Sequence, residues 1–432
     1  MTSTPLPRRR FLRALAASAV GATLIPRFEL HAAAAAARLP RAQGGGRPAW
    51  QELRARYLLA PEVTYLNHAS IGTVPRAVHE ARVGLLALCE ENPWLYMWGA
   101  PWEAAREDAR AALAGLLGVQ VEDLALTHNT TEGVNVAANG LALGPGDEVV
   151  FTSLNHDGAS VTWEHNARRR GFRVRRVPFP ISESRGMSRT EVTDFHLRQL
   201  SDRTRVLVLP HVDNMVGVRH DVPAIAAGAR RAGVRYVVVD AAQSAGMIPV
   251  ADAAAAVDLY AGSLHKWIQG AKGLGFARIS PDLRGVLEPS WVTWGQARWE
   301  GSVRRYEDYG TRNLAETVNV ADAVAFQDGL GTAEHKEERY RALRDFMYDR
   351  VEATPGLTWR SPRRWEAGAS LVAVQVQGRS APEVAARLYR EHGVVVRGFG
   401  PPLDAVRVAP HLSTSEAELE SFFRILEGMA VP

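Results

Sequence analysis

From about Trp50 onward, short apolar runs alternate with amphipathic or alanine-rich stretches. Leu124–Thr127, Glu148–Thr152, Arg173–Val177, Val206–Leu209 and Tyr236–Asp240 have the length and pattern of strands. Between them, Thr131–Leu141, Ser160–Arg170 and Val222–Ala232 have the pattern of helices. This alternation predicts βαβ units and a parallel sheet buried on both faces. After Asn313 the texture changes. Leu314–Gly329 and Glu334–Ala353 predict helices, Ser370–Val376 and Val394–Val396 predict strands, and Ser415–Glu427 predicts a closing helix. The expected fold is therefore α/β, with a mostly parallel central sheet sandwiched by helices and a smaller α+β C-terminal domain.

Composition narrows the class without naming a function. Of 432 residues, 46% are hydrophobic and 23% charged, which excludes a mainly disordered or collagen-like chain. A single cysteine, Cys89, leaves no intrachain disulfide, CxxC pair or Cys-rich zinc site, and no metal ligand set is predicted. The formal charge of +4 sits entirely in residues 1–37, where Arg8, Arg9, Arg10, Arg13 and Arg27 oppose Glu29. The remainder is neutral and has no overall bias towards nucleic acid.

The N-terminus reads as an address. Arg8-Arg9-Arg10-Phe11-Leu12-Arg13 precedes an apolar stretch from Ala14 to Ile25, and Ala32–Ala37 offers small residues for cleavage. The arginine pair resembles a twin-arginine export signal, which implies a periplasmic or extracellular destination. The apolar stretch falls short of the roughly 20 residues of a membrane span, and no stable span is expected elsewhere. Gly44-Gly45-Gly46 and Pro48 mark a linker.

Candidate chemistry begins at Asp240, which ends an apolar strand and so belongs at the carboxyl edge of a sheet, where open α/β folds bind ligands. Tyr260–Ser263 leads into Leu264-His265-Lys266. Gly270-Ala271-Lys272-Gly273-Leu274-Gly275 does not match the dinucleotide fingerprint GxGxxG, which disfavours a dehydrogenase. Thr127–Gly133 joins a strand to a helix, and its hydroxyls and amides suit an anion, usually phosphate. Taken singly, Thr130 reads as an ordinary helix cap and Lys266 as a solvated lysine. Together, a phosphate pocket, a strand-end carboxylate and a lysine after Ser-x-His are what pyridoxal 5'-phosphate (PLP) needs. Lys266 then forms a Schiff base with it, and Asp240 pairs with the pyridine nitrogen.

With these motifs in order, the chain from about Thr64 to its C-terminus resembles the class V aminotransferase family, in its isopenicillin-N-epimerase-like branch. The resemblance implies PLP fold type I and a set of roles. Thr130 and Thr131 form the phosphate turn, and His156 of Asn155-His156 stacks on the ring as a third catalytic residue beside Lys266 and Asp240. Asn214 of His211-Val212-Asp213-Asn214 contacts the ring hydroxyl, as does Gln243 of Val239-Asp240-Ala241-Ala242-Gln243. Ser263 and His265 help bind phosphate. Thr311 of Tyr309-Gly310-Thr311-Arg312-Asn313 reaches the neighbouring subunit's phosphate, implying a homodimer with shared sites. Arg407 clamps a substrate carboxylate, and Asn67 and His68 belong to a substrate-side loop.

The implied domains are a signal peptide (1–37), a linker and N-terminal arm (38–75), a large PLP-binding domain (76–313) and a small domain (314–432). The implied reaction is at the Cα of an amino acid or amino-acid-containing small molecule, by transamination or epimerisation. A C–S or β-elimination lyase and a non-catalytic PLP-binding sensor are the alternatives. Desulfurases of this family carry a nucleophilic Cys in the loop that here reads Arg397-Gly398-Phe399-Gly400-Pro401-Pro402-Leu403, which has none. Cys89 falls in the predicted helix Ala77–Glu91, where a small buried residue is the simple reading. Trp94, Trp98, Trp291 and Trp294 are candidates for a pocket wall or for packing.

Overall fold

The computed structural model describes residues 49–98 and 100–430. The twin-arginine segment and the linker through Pro48 lie outside the described residues. β1 (Thr64–Tyr65) is followed by the seven strands of the central sheet. These are β2 (Leu124–Thr127), β3 (Glu148–Thr152), β4 (Arg173–Val177), β5 (Thr204–Pro210), β6 (Tyr236–Asp240), β7 (Leu259–Ser263) and β8 (Gly275–Ile279). Their spatial order is β2-β8-β7-β6-β5-β3-β4. Only β8 runs against its neighbours; the pairs β7–β6, β6–β5, β5–β3 and β3–β4 are parallel.

Alternation along β6 shows why these apolar runs form the centre. Val237 and Val239 join one hydrophobic cluster with Leu207 and Leu209, whereas Val238 joins the opposite one with Val206 and Val208. Both faces of the strand are thus covered. Each fully buried valine or leucine contributes about 1.5–3 kcal/mol from its removal from water.

The C-terminal part forms a second sheet from β9 (Leu357–Trp359), β10 (Val372–Val376), β12 (Arg397–Phe399) and β13 (Ala405–Val408), antiparallel in the order β12-β13-β10-β9. β11 (Val394–Val395) pairs in parallel with β1, tying the start of the described chain to this part. The helix Ala333–Ala353 and the terminal helix Glu416–Glu427 pack on this sheet through Leu343, Met347, Phe422 and Phe423.

Three sequence expectations are corrected, and one strand that was not predicted is added. Leu314–Gly329 is two helices, Leu314–Val318 and Val320–Gly329, because Asn319 is buried and its amide donates to Val78 O at 3.1 Å. Ser415 is the cap of the last helix, in a reciprocal capping box with Glu418. Gly275 begins β8, and a Cβ there would meet the Asn129 backbone at 2.6 Å. Arg397–Phe399, read as loop, is edge strand β12.

Candidate active site

The carboxyl ends of β2, β3, β5, β6 and β7 converge on one cavity of about 300 Å³. Parallel strands and their short exits explain the convergence, since every strand of that set delivers its next few residues to the same edge. Thr130, His156, Asn214, Asp240, Ser263 and Lys266 line it, with Thr131, Gln243 and His265. Nine of the residues expected to hold the cofactor thus share one cavity.

Lys266 follows β7 on a turn that is held from several sides. The Gly72 N–H donates to His265 O at 2.6 Å, and a Cβ on Gly72 would collide with Lys266 O. Gln269 adopts φ 63°, in the left-handed region, and its Oε1 accepts from Tyr57 OH at 2.7 Å. Burial lowers the Lys266 pKa to about 8; Asp240 opposes the shift and Arg407 adds to it. About a tenth of the amine is therefore unprotonated at pH 7, far more than for an ordinary lysine. Burial, with Lys266 and Lys272, brings His265 down to about 4, so its ring is neutral.

Asp240 is buried, and its Oδ1 accepts from Ala242 N at 2.8 Å. Asn129, not Thr130, caps the helix Thr130–Gly140, accepting from Glu132 N at 2.9 Å. Thr130 is the first helical residue and donates its N–H to Ser263 Oγ at 2.9 Å, with the two hydroxyls 2.8 Å apart. His156 caps the next helix: its Nδ1 accepts from Gly158 N at 3.0 Å, which leaves the ring proton on Nε2. Gln243 donates to Ala69 O and accepts from Trp267 Nε1, both at 2.8 Å. One amide hydrogen remains for the cavity.

Arg407 lies on β13, only 2% exposed. It donates to Asn67 Oδ1 (2.7 Å), Ser70 Oγ (2.6 Å) and the Asn214 carbonyl (2.7 Å). Burial lowers its pKa to about 10, with Arg397 adding and Asp213 and Tyr65 opposing. No carboxylate of the described residues forms an ion pair with it. Asn67 thus positions Arg407. His68, next to it, turns away: it is 1% exposed, with Nδ1 3.3 Å from Ala409 O and its ring against His411. It is absent from the cavity wall.

Two residues outside the sequence reading matter here. Ser70 lines the cavity and holds Arg407; its place three residues after Asn67 was the only signal. Asp213 is wholly buried and accepts the N–H groups of Met215, Val216 and Val218, which fixes the loop carrying Asn214. Burial raises it to about 6.

Thr311 is not brought to this cavity. It lines a separate one of about 100 Å³ with Trp98, Arg304 and Arg312. Trp94, Trp98 and Trp291 are 75%, 57% and 59% exposed, so none is a core residue. Cys89 packs with Leu85, Trp102, Ala315 and Val318, away from the segment 397–403. No helix among the described residues is long and apolar enough to cross a membrane.

The Aminotransferase class-V family profile matches residues 64–418. An isopenicillin N epimerase of Amycolatopsis lactamdurans is 31% identical over 403 residues, 88% of this chain and 99% of that protein. A probable cysteine desulfurase of Halobacterium salinarum is 29% identical over 353 residues, 78% of this chain and 81% of that protein. Among solved structures, the cystine C–S lyase C-DES in complex with its reaction product cysteine persulfide has a TM-score of 0.79. It is 24% identical, covering 86% of this chain and 99% of that one.

Proposed function

The chain belongs to the class-V aminotransferase family of PLP-dependent enzymes, and from that premise we propose that it acts at the Cα of an amino acid or amino-acid-containing small molecule, by transamination or epimerisation. The observation that carries this reading is the Lys266 amine, its pKa lowered to about 8, in one cavity with Asp240 and beside Arg407, which has no ion-pair partner among the described residues.

The residues fit PLP. Lys266 offers an amine, Asp240 a carboxylate oxygen not used by Ala242, and Thr130, Thr131 and Ser263 offer hydroxyls. The buried His265 Nδ1 has no hydrogen-bond partner among the described residues. When bound, PLP supplies an aldehyde and a ring that delocalises negative charge from the substrate Cα. Lys266 presents its nitrogen unprotonated in about a tenth of molecules at pH 7, and in that form takes the Cα proton. Asp240 raises the proton affinity of a ring nitrogen beside it by opposite charge. His156, fixed by Gly158, supplies a ring face for stacking. Arg407 would hold the substrate carboxylate by its charge and by the hydrogens that Asn67, Ser70 and Asn214 leave on Nε and Nη1. A proton supplied to the opposite face of Cα by a donor other than Lys266 would give epimerisation; transfer of the Cα proton to the cofactor's aldehyde carbon, followed by hydrolysis, would give transamination.

Sulfur transfer through a protein persulfide is disfavoured, because Cys89 is the only thiol and is packed in a helical cluster. The working unit on this reading is a homodimer in which Thr311 serves the partner's cavity. Export follows a twin-arginine route, tested by cell fractionation after Arg8→Lys and Arg9→Lys; unchanged fractionation counts against it. The chemistry is tested by incubating holoenzyme with an amino-acid panel in D2O, followed by mass and chirality analysis. Deuterium at Cα, with inversion or keto acid, is expected. No exchange with any compound, or sulfide release that depends on Cys89, defeats the reading.

A further inference from the structure

On the amino-acid reading above, we propose that the substrate carries a second acidic group, bound by Arg397 while Arg407 takes the α-carboxylate. β12 and β13 are antiparallel with Arg397 directly opposite Arg407. Residues opposite one another in such a pair project on the same face. Phe399, two residues on from Arg397, shares that face. The guanidinium carbons of Arg397 and Arg407 stand 5.7 and 5.6 Å from its ring centroid.

Like charges directly opposite on a ladder are destabilising. Three other buried guanidinium groups are neutralised locally: Arg110 meets Glu307, Arg304 meets Glu103 and Arg339 meets Glu416. Arg344 is closed off by the carbonyls of Pro362 and Arg363. Among the described residues, neither Arg397 nor Arg407 has an ion-pair partner. Asp213, the acid whose charge Arg407 feels, has its oxygens engaged by three backbone N–H groups.

The charges form a path. Arg407 acts on Lys266, and Arg397 acts on Arg407. Arg407 is buried beside Ser70 and Asn214 of the cavity wall, whereas Arg397 is exposed. Two cations at different depths, both against the Phe399 ring, suit two anionic groups on one molecule better than one shared carboxylate. The substrate class is therefore an amino acid with a carboxylate along its side chain. Arg397 is a specificity-determining residue, since its planar fork matches a carboxylate.

The test titrates holoenzyme with L-glutamate and L-2-aminoadipate against the uncharged L-glutamine and L-norleucine. Dissociation constants are read from the absorbance change of bound cofactor. The acids should bind about tenfold or more tighter than their neutral counterparts, as one charge-assisted contact allows. Arg397→Gln should bring that ratio near one, and Arg397→Lys should keep part of it. A ratio near one in the wild-type protein overturns the proposal. So does a ratio that survives Arg397→Gln, including the case where acids and neutrals weaken by the same factor, as one shared carboxylate would give. Absence of any response to every amino acid overturns the amino-acid reading, and this proposal with it.

Discussion

Replacing Lys266 by methionine removes the amine and keeps an unbranched stem, so it isolates the cost of holding that amine in the site. The wild-type amine falls from 10.5 to about 8 on folding, mainly through burial. At about 1.36 kcal/mol per pKa unit, the apoprotein gives up about 3 kcal/mol of stability wherever the group is protonated in both states. Partial contact of the residue with solvent makes this an upper bound. The sign follows from proton counts. Between about pH 8 and pH 10.5 the unfolded chain holds a proton that the folded chain has released. Wild-type stability therefore rises with pH across that window. Lys266→Met should be more stable than wild type at pH 7. Its advantage should shrink as pH rises through 8 and vanish near 10.5. The assay is urea unfolding of cofactor-stripped protein at fixed concentration from pH 6 to pH 10.5. A difference that does not change with pH, or a variant less stable than wild type at pH 7, refutes the reasoning.

Arg407→Ala should raise the Michaelis constant by about ten- to a hundredfold, the worth of hydrogen bonds to a charged group, with a smaller change in PLP affinity. Steady-state kinetics beside a cofactor titration read the split, and an equal loss in both counts against a substrate clamp. Mixing Lys266→Ala with Thr311→Ala subunits should restore activity, because one site of the heterodimer then carries both lesions and the other neither. Verified heterodimers without recovered activity argue against sharing. Cys89→Ser should leave turnover nearly intact in the same assay, since its Sγ donates to Tyr96 O at 3.8 Å and the residue packs in a helical cluster away from the cavity; a large loss would give the thiol a role.

Most of the central sheet was legible because strands buried on both faces write themselves as unbroken apolar runs; β4 differs, an edge strand with three arginines in which only Val177 is buried. β2, β3, β4 and β6 have the bounds that the pattern predicted. β8 was missed because it opens on a glycine in a glycine-rich stretch; the close approach of the Asn129 backbone and the Gly262 carbonyl explains that glycine. β12 and β13 were missed because they are short and carry Arg397 and Arg407, which a hydrophobicity pattern counts as polar. The cavity-lining residues were reachable from motif order, since strand ends in a parallel sheet share an edge. The direction of individual side chains was not. Asn67 and His68 are adjacent, yet one holds Arg407 and the other faces Ala409. Asp213 gave no sign of its part because its partners are backbone amides, which no residue pattern records.

The most direct test of the account is borohydride reduction of the purified holoenzyme followed by peptide mapping. Lys266 should carry the pyridoxyl mass, because it is the lysine that the turn after β7 delivers to the cavity beside Asp240. Modification of Lys272 instead, or of no lysine at all, contradicts the assignment on which the proposed chemistry depends.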